Sequence, residues 1–320
     1  MANGPYWLSG MTRLALAIAA MVSALAPAAA ASPLGIPRFA AVLMDADTNE
    51  ILFAEQATAI RHPASITKVM TLYMVFDALD SGRLRLDDRI VMSSRAVAQR
   101  PSKLGLGVGQ SLSVDDAIRV VAVKSANDVA VALAEKLAGT EANFARLMTA
   151  KARLLGMRQT VFANASGLPD PAHFTSAQDI AVLSAALIRN HGDRYHYFSA
   201  QSFSYGKLRM ANHNHLLGNV VGLDGIKTGF TNDSGFTLAA SAMRNGHRLI
   251  AVVLGSPSGS QRDRDITNLI NAGFTALEIR AQGRREDMGA LLMSRGFALN
   301  RGDQPLSRIT ATDIEEGDGE

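Results

Sequence analysis

A hydroxyl and an amine stand three residues apart in Ser65-Ile66-Thr67-Lys68, and on a helix positions i and i+3 share a face. A serine hydroxyl is a weak nucleophile until a base lies beside it. A lysine can be that base only when burial or neighbouring cations lower its pKa. Two further groups supply what the first lacks. Ser125-Ala126-Asn127 adds a second hydroxyl and an amide, and Lys227-Thr228-Gly229 adds a second amine on a stretch of strand character. Lys227 becomes the neighbouring cation if that strand runs past the helix. Ser65 at a helix N-terminus feels the positive end of the dipole, which favours developing negative charge. Glycine at 229 lets a substrate backbone lie close along the strand. S-x-x-K alone arises by chance about once in a chain of this length, but all three motifs in this order arise by chance in fewer than a few per cent of such chains. Ser65 as a helix cap with Lys68 at the surface would explain only the first of them.

Other chemistries lack their residues. There is no Gly-x-Ser-x-Gly elbow and no His-Glu-x-x-His. His213 and His215, two apart, read as a polar loop or strand edge rather than half a metal site. Gly105-Leu106-Gly107-Val108-Gly109 lacks the last glycine of a dinucleotide fingerprint and reads as a turn-rich connection. With no cysteine in 320 residues, disulfide scaffolds, thiolate-held metals and thiol nucleophiles are excluded. A balance of 32 basic against 29 acidic residues, with 6% aromatics, is no nucleic-acid footprint. At 48% hydrophobic and 19% charged, the chain has ample material for a core.

The elements that must position these groups follow from periodicity. Arg13, an apolar stretch from Leu14 to Leu25 and the small-residue run after Ala26 give residues 1–31 the order of a secretory signal. Residues 36–283 are expected to form one catalytic domain, and 284–320, which end in five acids among eight residues, a flexible tail. Two apolar runs, Ala40–Asp45 and Ile51–Ala54, predict a hairpin. A helix is predicted over 65–80, and four more over 114–123, 127–137, 143–155 and 176–188. Strands are predicted at 225–228, 236–243 and 249–254, the last two joined by the hairpin signal Asn245-Gly246. A closing helix spans 264–282. Strand pair, helices, strand triplet and helix imply an α+β fold, an antiparallel sheet flanked by helices with an inserted helical lobe and a ligand cleft between them.

The three motifs are those of the penicillin-recognising serine acyl enzymes. Ser102-Lys103-Leu104-Gly105-Leu106, Ser125-Ala126-Asn127-Asp128-Val129-Ala130, Ala165-Ser166-Gly167-Leu168 and Gly222-Leu223-Asp224-Gly225-Ile226-Lys227-Thr228-Gly229 narrow the resemblance to low-molecular-mass D-alanyl-D-alanine carboxypeptidases, over about residues 36–280. The resemblance implies a β-lactamase/DD-peptidase-like fold and an exported enzyme acting on peptidoglycan stem peptides, with β-lactams as covalent inhibitors and no metal or organic cofactor. It implies that Ser65 attacks the carbonyl between the terminal D-alanines, that Lys68 takes its proton and that Ser125 relays a proton to the leaving D-alanine. Asn127 would hold the substrate amide, and Lys227 and Thr228 its carboxylate, helped by Arg262 or, in the next register, Arg264. The backbone N–H groups of Ser65 and Phe230 would form the oxyanion hole. Two departures stand out. The β-rich domain and amphipathic helix of familiar members have no counterpart in the last forty residues, so membrane attachment is not expected. Phe230 follows Lys227-Thr228-Gly229 where some relatives carry histidine.

A class A β-lactamase shares the three motifs but uses a glutamate between the second and third to activate water, and here none lies between Glu141 and Glu278. Endopeptidase action on D-alanine cross-links and a non-catalytic wall-binding module are the other readings. The intact motifs argue against the module.

Overall fold

The structure is a computed structural model that describes Met1, residues 39–284 and residues 287–299. The chain divides between Ile36 and Pro37, and every described helix and strand belongs to the second unit. Apart from Met1, the expected leader over 1–31 lies outside the described residues.

The predicted hairpin forms from β1 (Ala40–Asp45) and β2 (Ile51–Glu55). A 3-10 turn, Ala64–Ile66, leads into α1 (Thr67–Asp80). The inserted lobe carries β3 (Arg89–Val91), α2 (Ser94–Val97), β4 (Ser111–Ser113), α3 (Val114–Val123), α4 (Asn127–Ala138) and α5 (Glu141–Leu155), followed by α6 (Ala177–Asn190). A small hairpin, β5 (Ser202–Tyr205) and β6 (Leu208–Ala211), precedes β7 (Leu223–Thr231), β8 (Gly235–Arg244) and β9 (His247–Ser256). α7 (Gly259–Ala281) and α8 (Met288–Ser294) complete the described chain.

Both ends of the chain build one antiparallel sheet of order β2-β1-β9-β8-β7. Its inner strands are buried on both faces, which is why β1, β8 and β9 read as continuous apolar runs rather than alternating ones. Successive side chains point to opposite faces. Val42 and Met44 join the core shared with α1 and α3–α6, while Ala41 and Leu43 join the core beneath α7. The Asn245-Gly246 turn has both residues at positive φ, as its hairpin type requires.

Two expectations need correction. α7 starts five residues before the predicted boundary, because Ser258 caps it by accepting the Gln261 N–H. Not all of the stretch after 283 is loose: α8 seats Leu292 in the second core, and Phe297 packs edge-on against Phe39 and Phe53.

Candidate active site

The site is assembled where the sheet edge meets the lobe. Pro63 fixes φ at the start of the 3-10 turn, and Ala64 then adopts φ +47°, an uncommon conformation for a residue with a Cβ. Two glycines let the flanking segments close on this turn. A Cβ on Gly167 would lie 1.8 Å from the Ala64 carbonyl oxygen, and one on Gly229 would lie 2.8 Å from the Ser65 nitrogen. Segment 165–168 therefore rests on one side of Ser65 and β7 on the other.

Lys68, the second residue of α1 and one turn on from Ser65, is fully buried. Its Nζ lies 2.9 Å from Ser65 Oγ, 2.7 Å from Asn127 Oδ1 and 2.6 Å from the Ser166 carbonyl oxygen. Burial first, and the Lys227 cation second, hold it well below the ordinary lysine pKa, with Asp128 opposing. A neutral amine has two N–H donors and one lone pair. Donating to Asn127 and Ser166 leaves the lone pair for the Ser65 proton, which is the geometry a general base requires.

Lys227 sits on β7, pushed down to about 7 by burial and then by Arg262. Among the described residues its Nζ donates only to the Thr228 carbonyl oxygen, at 3.2 Å. Arg262, in the first turn of α7, is buried and holds Asp263 with Nε and Nη2 at 2.9 and 2.8 Å. Arg264 is exposed and donates to Gln261. Of the two arginines the sequence leaves open, Arg262 is the buried one and the one whose charge reaches Lys227. Thr228 and Gly229 are buried on β7, and Phe230 is half-buried against Phe236, ring centroids 4.3 Å apart.

Asn127 is brought directly onto Lys68. Ser125, at φ +64°, is not bonded to either lysine: its Oγ is buried without a protein partner among the described residues. A shallow cleft, with room for little more than a water molecule, opens beside Ala64, lined by His62, Asp170, His173, Thr231 and Asp233.

Several contributors lie outside the three catalytic motifs. Ser166 acts through its carbonyl, which side-chain patterns cannot register. His173 accepts the Ala163 N–H at Nδ1 and faces Thr67 Oγ1 with Nε2 at 2.8 Å, and burial pushes it down to about 4. His213 does lie in a loop, after β6. Burial first, and the Lys227 charge second, push it down to about 3. Among the described residues no three His, Cys, Asp or Glu side chains are grouped to hold a metal, and no helix is long and apolar enough to cross a membrane.

Fold and site together have the form of a serine acyl-transfer enzyme with a lysine base. The peptidase S11 family model, D-alanyl-D-alanine carboxypeptidase, matches residues 27–258. D-alanyl-D-alanine carboxypeptidase DacD of Escherichia coli is 38% identical over 254 residues, covering 76% of this chain and 66% of the relative. DacF of Bacillus subtilis is 30% identical over 278 residues, covering 85% and 70%. The chain thus spans about two thirds of the length of these curated relatives. Among solved structures, penicillin binding protein 5 of Haemophilus influenzae superposes with TM-score 0.72 at 35% identity, covering 76% of this chain and 71% of that one. Penicillin-binding protein D2 of Listeria monocytogenes, solved in a cefotaxime-bound form, gives 0.68 at 31% identity, covering 73% and 96%. The chain belongs to the D-alanyl-D-alanine carboxypeptidase family of serine peptidases.

Proposed function

We propose that this chain removes the terminal D-alanine from peptidoglycan stem pentapeptides through an acyl-enzyme on Ser65. The observation that carries the reading is the Lys68 amine, buried and held by Asn127 and Ser166 within 2.9 Å of the Ser65 hydroxyl. Lys68 Nζ takes the Ser65 proton as Oγ bonds to the carbonyl carbon between the two D-alanines. The oxyanion accepts the N–H groups of Ser65 and Phe230, worth about 3 kcal/mol each. The C–N bond then breaks, and the proton passes from Lys68 by way of Ser125 Oγ to the departing amine, while Asn127 holds the substrate amide. Lys227, Thr228 and Arg262 bind the terminal carboxylate. Water attacks the acyl-enzyme, returns a proton to the catalytic pair and frees Ser65.

This direction of binding sets the substrate antiparallel to β7. The carboxylate lies at Lys227 and the scissile carbonyl beside Gly229, with the preceding residues toward Thr231. β-Lactams enter the same reaction, by analogy with the cefotaxime-bound Listeria relative, and leave a slowly hydrolysed adduct. The second motif alone does not separate this reading from a β-lactamase, but Glu141 does. Its Oε1 accepts the Ala165 N–H at 3.1 Å and its Oε2 takes Arg95 at 2.6 Å, so it is committed to structure rather than to a hydrolytic water. The substrate lies in the cell envelope, and residues 1–31 are proposed to export the protein there.

Incubation with a fluorescent penicillin should label the wild-type protein, with the adduct on Ser65 by mass spectrometry and D-alanine released from a pentapeptide. Ser65→Ala should abolish both. Equal labelling of that variant, or rapid complete turnover of nitrocefin, would overturn the reading.

A further inference from the structure

Asp128 follows the second motif and takes no part in the proposed steps. Its side chain is fully buried in the first turn of α4. One carboxylate oxygen accepts the Leu104 N–H at 3.0 Å and the Val129 N–H at 2.9 Å, and the other accepts the Gly105 N–H at 2.9 Å. The segment it grips is sewn to the same turn elsewhere. Asn127 Nδ2 donates to the Arg100 carbonyl at 2.9 Å, the Asn127 N–H to the Ser102 carbonyl at 2.8 Å, and Ser102 Oγ to the Lys124 carbonyl at 2.9 Å. Asp128 is the ionisable member of this stitching, and Asn127, at its centre, is the residue that holds Lys68.

A buried carboxylate is tolerated only when hydrogen-bonded or paired. Three N–H groups meet the first condition, and the carboxylate is near enough to Lys68 for its charge to favour the protonated amine. The charged or titratable groups that act on Lys68, or feel it, are Lys227 from β7, His213 from the loop after β6, His173 from the loop before α6 and Asp128 from α4. Asp128 is the anion of this set.

We propose that Asp128 is a positioning residue for the acylation step: it fixes the 102–105 wall and the Asn127 turn in one geometry and keeps a buried negative charge beside the base. The proposal rests on Lys68 acting as base toward Ser65. It is distinct from a packing role because it makes a signed statement about pH. Acylation rises with pH as Lys68 loses its proton, and Asp128 favours the protonated amine. Removing its charge must move that rise to lower pH. The alkaline fall belongs to Lys227, which burial and Arg262 set, and should stay in place.

The test is the second-order rate of fluorescent-penicillin acylation of the full chain, followed from pH 4 to pH 10. For Asp128→Asn we expect an acid limb lower by about one pH unit, a plateau lower by about tenfold and an unmoved alkaline limb. Asp128→Glu keeps the charge but not the fit, so its acid limb should return to the wild-type position while its plateau stays depressed. Wild-type limbs and plateau in Asp128→Asn would overturn the proposal, as would an acid limb displaced equally in both variants. Should Asp128→Asn fail to fold, Asp128→Glu decides. Slowed acylation with the wild-type acid limb supports the proposal, and acylation at the wild-type rate overturns it. A wild-type protein that takes no label overturns the reading of Ser65 together with this inference, whereas a labelled wild type with an indifferent Asp128 overturns this inference alone.

Discussion

Lys68 and Lys227 are both fully buried, and their surroundings differ in kind. Lys68 meets three oxygens between 2.6 and 2.9 Å, two as acceptors and the Ser65 hydroxyl as the proton source, so its orientation is set before any substrate arrives. Lys227 donates to one backbone oxygen at 3.2 Å and lies in the field of a second cation, Arg262. A buried amine with its donors satisfied and its proton affinity lowered is suited to move a proton. A buried amine beside another cation is poorly compensated until an anion joins it. The first arrangement stores geometry for chemistry, and the second stores electrostatic free energy that a carboxylate releases on binding. On the proposed reaction, the difference separates the two ends of one cleft into a reacting end and a recognising end.

Substitution at the reacting end should break this contrast hardest. Lys68→Met preserves most of the side-chain length but removes the base. Acylation by penicillin is expected to fall about a thousandfold, within the range for a lost general base. The Asn127 and Ser166 oxygens would be left without a donor, which costs a few kcal/mol of stability. Thermal unfolding of the same preparation separates that loss from the catalytic one. A variant that folds and still acylates within tenfold of wild type would remove Lys68 from the reaction.

At the recognising end the effect should be smaller and should depend on pH. Lys227 binds a carboxylate only as the ammonium, and its pKa is about 7. In the free enzyme, kcat/KM for a peptide ending in a free carboxylate should therefore decline as pH rises through about 7. A bound carboxylate favours the ammonium, so the decline in kcat should lie at higher pH than that in kcat/KM. Lys227→Met should erase the decline and lower kcat/KM by tenfold to a hundredfold, the worth of one charge-assisted hydrogen bond. A profile flat from pH 6 to pH 9 in the wild type would deny Lys227 this role.

The same contrast explains what could be seen without coordinates. Ser65 and Lys68 were legible because helical spacing alone puts them on one face, and the central sheet because its strands are apolar runs between turn residues. The Asn127 contact to Lys68 crosses 59 positions and was not foreseen: no local pattern encodes it, and the resemblance gave Asn127 only the substrate amide. The Ser166 carbonyl was invisible for a further reason: backbone acceptors carry no residue type. β3, β4, β5 and β6 escaped because strands of three or four residues are too short for a period of two to register. The start of α7 is hidden because Ser258-Gly259-Ser260-Gln261 reads as a loop until Ser258 is seen capping Gln261. That boundary matters, because it decides which arginine the first turn of α7 turns inward.

The finest test of the recognising end concerns that arginine. Arg262 and Arg264 are two apart and so lie on different faces of α7. Arg262 is buried with its guanidinium on Asp263, and its charge reaches Lys227, while Arg264 is exposed on Gln261. Asp263 already neutralises part of Arg262, so its contribution to carboxylate binding should be the smaller of the two cations. Arg262→Gln is expected to lower kcat/KM about tenfold, mainly through KM, and to move the alkaline decline upward because Lys227 loses the charge that depresses it. Arg264→Gln should change neither quantity by more than twofold. Equal losses in the two variants would mean that the effect is general surface charge rather than a placed guanidinium, and a larger loss at Arg264 would transfer the role to it.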